Sequence, residues 1–259
     1  MKKTILPALA MLIVAAVMLS TASYAWFAMG GTVTAENMNV SVKSDSAYLV
    51  ILKDTELSAN VDGEGKIASG FTQQSVQFNA SATTGNKAIY PVAFDTSAEG
   101  FASANFELDT TWYTMQGKNS ADGTGIGEKT YLPYKTTTKD GETTTDGTVL
   151  KDYVLLSTVY IATSKGSQDM KNLKASVSID GDDAINVVVV TSAAYKHFTD
   201  PTQSYDSTVL YQTLNNTPIK VDIYVFYNGN DSTITTDQLG LKEIKNSSIT
   251  VSFSADSAQ

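Results

Sequence analysis

The chain has 259 residues, of which 42% are apolar and only 17% charged, with no cysteine and a formal net charge of −9 carried without a single arginine. That apolar content excludes a disordered chain, and the length allows one sizeable core. The acidic, arginine-free composition argues against nucleic acid as a partner, and the missing cysteines exclude a disulfide framework, thiolate catalysis and cysteine-ligated zinc.

At the N-terminus, Lys2 and Lys3 precede an uncharged, mostly apolar run over residues 5–19, and Ser23 and Ala25 place small side chains where a signal peptidase needs them for a cut after Ala25. These are the three parts of a secretory signal. Residues 1–25 therefore read as a signal peptide forming a hydrophobic helix. Extended through Phe27, the apolar run reaches spanning length, so a retained membrane anchor is the alternative. Either way, this segment is the chain's one expected contact with a membrane.

Residues 26–43 follow as an N-terminal segment. After the cut the chain begins Trp26-Phe27-Ala28-Met29-Gly30-Gly31, and residues 32–43 have a strand pattern. Apolar side chains fall at Val33 and Ala35, then at Met38, Val40 and Val42. The phase slips by one near Glu36-Asn37, which predicts a bulge or a break. A free N-terminal strand with an apolar tip can add to the open sheet edge of another subunit. Trp26, Phe27, Val33, Ala35, Met38, Val40 and Val42 are the expected assembly residues of such a donor segment. The plainer alternative is an ordinary first strand of the chain's own domain.

The run Ser23-Tyr24-Ala25-Trp26-Phe27, followed by Thr32-Val33-Thr34-Ala35-Glu36-Asn37-Met38-Asn39-Val40, resembles the start of the TasA/camelysin group of Firmicute surface proteins. A second, shorter similarity lies at Val221-Asp222-Ile223-Tyr224-Val225-Phe226-Tyr227-Asn228-Gly229-Asn230-Asp231, a late strand closing in an aromatic–x–Gly–x–Asp turn. The resemblance implies processing by a dedicated ER-type signal peptidase and secretion to the surface of a Gram-positive-type bacterium. It also implies a homopolymeric fibre or biofilm matrix, built by N-terminal strand addition between neighbouring subunits. The metalloprotease activity described for camelysin does not carry over, because the zinc-binding residues it needs are not in this sequence.

Residues 44–259 read as one β-sandwich domain. Alternating apolar and polar residues, the mark of half-buried strands, recur along it. Strands are predicted over 48–53, 75–79, 88–94, 105–113 and 153–163. Leu173, Ala175, Val177 and Ile179 alternate up to an Asp180-Gly181 turn. The unbroken run Val187–Val190 reads as a strand buried on both faces. Ile219, Val221, Ile223, Val225 and Tyr227 alternate up to Asn228-Gly229, and Ile249, Val251 and Phe253 do so at the end. Short helical turns are expected near 168–173 and 236–241. A polar insert at about 116–148 carries a predicted hairpin over 136–145, since threonine favours strands and Asp140-Gly141 a tight turn. This insert is either a solvated loop or an arm that touches a neighbouring subunit. The predicted fold is an all-β, antiparallel, jelly-roll-like sandwich behind an N-terminal hydrophobic helix.

Catalytic signals are missing. The single histidine, His197, has no His-Glu-x-x-His partner and no Gly-x-Ser-x-Gly elbow, so no enzyme is expected. Two acidic loops offer oxygen ligands of the kind Ca²⁺ prefers: Asp180, Asp182 and Asp183, and Asn228, Asn230 and Asp231. Neither has the EF-hand pattern, and all six are ordinary turn residues. No cofactor is expected beyond this weak calcium candidate. The leading functional expectation is a fibre subunit; the alternative is a membrane-anchored adhesin or glycan-binding module using exposed tyrosines.

Overall fold

A computed structural model describes residues 39–44, 48–79, 91–96, 106, 111–115, 129–132, 135–139, 142–146, 153–181, 185–200, 202–204, 207–230 and 247–257. In chain order the elements are β1 (Asn39–Ser44), β2 (Leu49–Lys53), α1 (Asp54–Asn60), β3 (Ser75–Asn79), β4 (Ala93–Phe94), β5 (Trp112–Met115), β6 (Lys129–Tyr131), β7 (Lys135–Lys139) and β8 (Glu142–Asp146). They continue as β9 (Val154–Thr163), β10 (Met170–Asp180), β11 (Ile185–Thr191), β12 (Tyr195–Phe198), β13 (Thr202–Gln203), β14 (Tyr211–Leu214), β15 (Ile219–Tyr227) and β16 (Ser248–Ser257). The protein is mostly β, as its alternating sequence predicts.

Two sheets carry the fold. The first runs β13-β10-β16-β1-β3, with β14 also paired to β10; the second runs β12-β11-β15-β9-β2. Their facing side chains form one core, including Val40, Val42, Val76, Ala175, Val177, Ile249, Val251 and Phe253 from the first sheet. Ile51, Val159, Ile161, Val187, Val189, Val221, Ile223 and Val225 come from the second. Burying each valine, isoleucine or phenylalanine side chain here contributes roughly 1.5–3 kcal/mol.

The sheets are not uniformly antiparallel, which corrects the predicted pairing. β1 runs parallel to β16, from Asn39 opposite Ser248 to Ser44 opposite Phe253. Parallel neighbours cannot be joined by a tight hairpin, and these two lie near opposite ends of the chain.

The second sheet is also covered over much of its outer face. A small sheet, β4-β5-β6, lies over one half. There Val92, Phe106, Trp112, Leu132, Val188, Val190, Tyr224 and Phe226 form a second buried cluster. Val50, Leu52, Ile67 and Ala162 form a third, with Phe71 and Tyr160 packed against it. In consequence β15, predicted to be half-buried, is buried at every position from Val221 to Tyr227. β11 is buried at all seven positions, as its unbroken valine run requires.

The helical turn expected near 168–173 is instead the start of β10, where Met170 and Leu173 are buried. Pairing with β14 and β16 overrides the local signal, and the ladder absorbs an irregularity between Lys171 and Lys174. Asn172 takes a positive φ of 56° there and donates to Asp256. Conversely, α1 was not expected. Asp54 and Glu56 lie in its first turn, where the helix dipole favours negative charge, and the Glu56 carboxylate accepts the Lys53 N–H at 3.1 Å. Of the strand expected over 105–113, the described residues Phe106 and Thr111 lie outside any strand and Trp112 opens β5; of 88–94, Ala93–Phe94 is a strand and Val92 is bridged to Asn228, while 88–90, 105 and 107–110 lie outside the described residues. The second expected helical turn, at 236–241, lies outside the described residues.

β7 and β8 form a separate two-stranded sheet, the hairpin predicted from the threonine run.

Candidate functional site

The first strand is the element on which assembly would depend, and its surroundings are specific. β1 lies between β16 and β3 in the first sheet. Val40 is opposite Ile249 on one side and Phe78 on the other; Val42 is opposite Val251 and Val76. Both valines point into the core, with Val42 fully buried and Val40 3% exposed. Ser41 and Lys43 take the other face, as period-2 alternation demands. Of the sequence-predicted assembly residues, Val40 and Val42 are therefore brought together in one slot. Trp26, Phe27, Val33, Ala35 and Met38, the cut after Ala25 and the signal segment lie outside the described residues.

The strand order gives the sandwich two distinguishable ends. Asn39, where β1 begins, lies beside Ser248, and Ser248 is opposite Asp180 at the far end of β10. At the other end Met170 is opposite Ser257. A shallow cleft of about 460 Å³ opens there, lined by residues including Tyr48, Gly166, Gln168 and Ser257. Tyr48 is 56% exposed, a large apolar surface to leave in water. β1 thus begins at the pole opposite this cleft.

Edge strands are unequal. Besides its ladder with β9, β2 donates its Ile51 N–H to the Gln73 carbonyl, so the segment leading into β3 closes part of that edge. β12 carries Lys196, whose ammonium lies 5.9 Å from the centre of the buried Phe198 ring, a charge on an edge strand of the kind that discourages pairing. β3, by contrast, reads Ser-Val-Gln-Phe-Asn and has no charge.

Comparison with protein-family models, curated proteins and solved structures found no match.

The remaining candidates from the sequence fall as follows. Asp180 is exposed at the end of β10, while Asp182, Asp183 and Asp231 lie outside the described residues. Asn228 and Asn230 use their side chains within the turn and the small sheet. The Asn228 carbonyl oxygen accepts the Asn230 N–H at 3.0 Å, and Asn230 Nδ2 donates to the Tyr113 hydroxyl at 2.8 Å. Among the described residues no group of three or more metal-binding side chains converges.

His197 sits in the aromatic layer outside the second sheet. Its Nε2 is 2.7 Å from Asn186 Oδ1. Phe94 meets the ring edge-on at 4.9 Å, and Phe226 stacks at 5.9 Å. Burial pushes its pKa down to about 4, and neighbouring Lys196 pushes the same way. The ring is thus neutral at neutral pH and packs as an aromatic. Tyr224 and Tyr227 are fully buried, so they do not supply an exposed glycan platform.

Sequence reasoning missed the aromatic layer itself. Its signal was present: Tyr224 and Phe226 occupy the positions of β15 that alternation assigns to the outer face, where a solvated strand would carry polar residues.

Proposed function

We propose that this chain is an exported structural subunit of an extracellular fibre or biofilm-type matrix, a jelly-roll-like sandwich released from its N-terminal signal helix by signal peptidase. The segment 26–43 joins one subunit to the next at the surface of a Gram-positive-type bacterium. One observation carries the reading. Among the described residues β1 makes ladders only with strands remote in sequence, β3 and β16, and residues 45–48 alone connect it to β2. A strand held in this way can be supplied by another copy with the same contacts, and short hinges favour such exchange. The two-ended sandwich supports a head-to-tail order: the N-terminal segment leaves one pole and the Tyr48 cleft occupies the other. Contacts of that kind do not close, and repetition gives a filament.

The test is direct. Deleting residues 26–37 is expected to leave a folded monomer that forms no filaments by negative-stain microscopy; filaments that still form from the truncated protein would refute the reading. Because the chain has no cysteine, Ser41→Cys with Gln77→Cys creates a single possible bond between β1 and β3. In assembled protein that bond is expected to link different copies and give a covalent ladder on a non-reducing gel.

A further inference from the structure

The hairpin β7–β8 raises a different question, because it belongs to neither large sheet and, among the described residues, pairs only with itself. Two strands alone are marginal in water; three or more are needed for independent stability. This hairpin also lacks the means by which short sheets hold together. Its strands read Lys-Thr-Thr-Thr-Lys and Glu-Thr-Thr-Thr-Asp, without an apolar core residue.

Its register is specific nonetheless. Lys135 is opposite Asp146, Lys139 is opposite Glu142, and three threonine pairs lie between them. All the positive charge is on β7 and all the negative charge is on β8. Among the described residues each strand leaves one edge unpaired, so the hairpin offers an edge whose charged residues are positive and one whose charged residues are negative. Threonine favours extended pairing along both.

We propose that this hairpin is a self-association surface whose partner is the same hairpin of a second copy, with β8 of one pairing along β7 of the other in a four-stranded sheet. Such a contact repeats the charge match already present within the hairpin. Because each strand carries the same charge at both ends, the match holds whichever way the neighbour's strand runs. The two self-pairings, β7 with β7 and β8 with β8, set like charges against each other and are disfavoured. The contact is therefore heterologous, between two different edges. It stands on the register of β7 and β8 and does not depend on the N-terminal segment.

The experiment uses the purified exported protein and its weak self-association measured by sedimentation. The wild type is expected to associate at low ionic strength and to dissociate as salt rises past about 0.15 M, where exposed charges are screened. Lys135→Glu with Lys139→Glu makes both edges negative; Glu142→Lys with Asp146→Lys makes both positive. Each double variant is expected to associate about tenfold more weakly than the wild type. An equal mixture of the two restores association, which loss of hairpin folding could not do. Making all four substitutions exchanges the edges and preserves association. Unchanged thermal unfolding of the sandwich shows that the domain is intact in every variant. Double variants that associate as the wild type does, or a mixture no more associated than its components, would overturn the proposal. Loss of filaments on deleting 26–37 alongside normal behaviour of the charge variants would sink this contact and leave strand donation standing.

Discussion

β10 and β15 are both alternating strands in sequence, yet one is half-buried and the other is buried at every position from Val221 to Tyr227. At the off-core positions of β10 stand Lys174 and Ser176, which are half-buried, and Ser178, which is exposed. At those of β15 stand Asp222, Tyr224 and Phe226, all buried, the two aromatic rings meeting the second layer. Even the charge is provided for: Asp222 accepts the Thr158 hydroxyl at 2.6 Å and faces Lys220 at 2.8 Å. The difference teaches that two sheets of one sandwich can have separate tasks. The second is packed on its core face and over much of its outer face, though Leu156 on β9 stays exposed. The first carries small polar and charged side chains on its outer face, several of them half-buried or exposed, and holds β1.

The contrast can be broken most severely at the aromatic layer. Trp112 is fully buried, lies 5.2–5.4 Å from Phe94, Tyr224 and Phe226, and donates its indole N–H to the Phe106 carbonyl at 2.9 Å. Trp112→Ala is expected to cost about 3–5 kcal/mol in chemical denaturation. A loss under 1 kcal/mol would mean that the small sheet is not integral to the domain.

Acid should act on the same layer. His197 has a folded pKa of about 4 against an ordinary 6.5, so the unfolded chain binds the proton first. Its contribution is fully present above about pH 6.5 and is lost as pH falls toward 4, by up to roughly 1.4 kcal/mol per pH unit. Over that interval His197→Gln is expected to show a shallower fall in stability than the wild type. Parallel pH profiles would mean that the ring titrates freely.

Gly181 gives a smaller effect at the junction of the sheets. It has a φ of +142°, and a Cβ there would collide with the Oγ of buried Ser247, just ahead of β16. Gly181→Ala is expected to cost about 1–3 kcal/mol in the same denaturation assay. Least of all should follow at an exposed position on the outer face of the first sheet. Ser178 is exposed, and Ser178→Ala is expected to change stability by less than about 0.5 kcal/mol. A larger loss would show that this face is covered.

The strands were legible where alternation or an unbroken apolar run fixed which face each side chain takes. Ser75–Asn79 matches its predicted range, and Val154–Thr163 differs from its own by one residue. The hairpin of threonines was legible for a related reason, since β-branched residues and an Asp-Gly turn are local signals. The helix of seven residues was not, because it is too short to show a period.

For the candidate site the division is sharper. The sequence alone determined that Val40 and Val42 share one face of an extended segment, because a strand's side chains alternate whatever it pairs with. Only the tertiary structure decided that this segment lies parallel to β16 and between it and β3, and that the outer face of β15 is sealed by aromatic side chains. Periodicity is a property of a few consecutive residues, whereas pairing and coverage depend on what residues two hundred positions away bring alongside, as Ser248 does for Asn39.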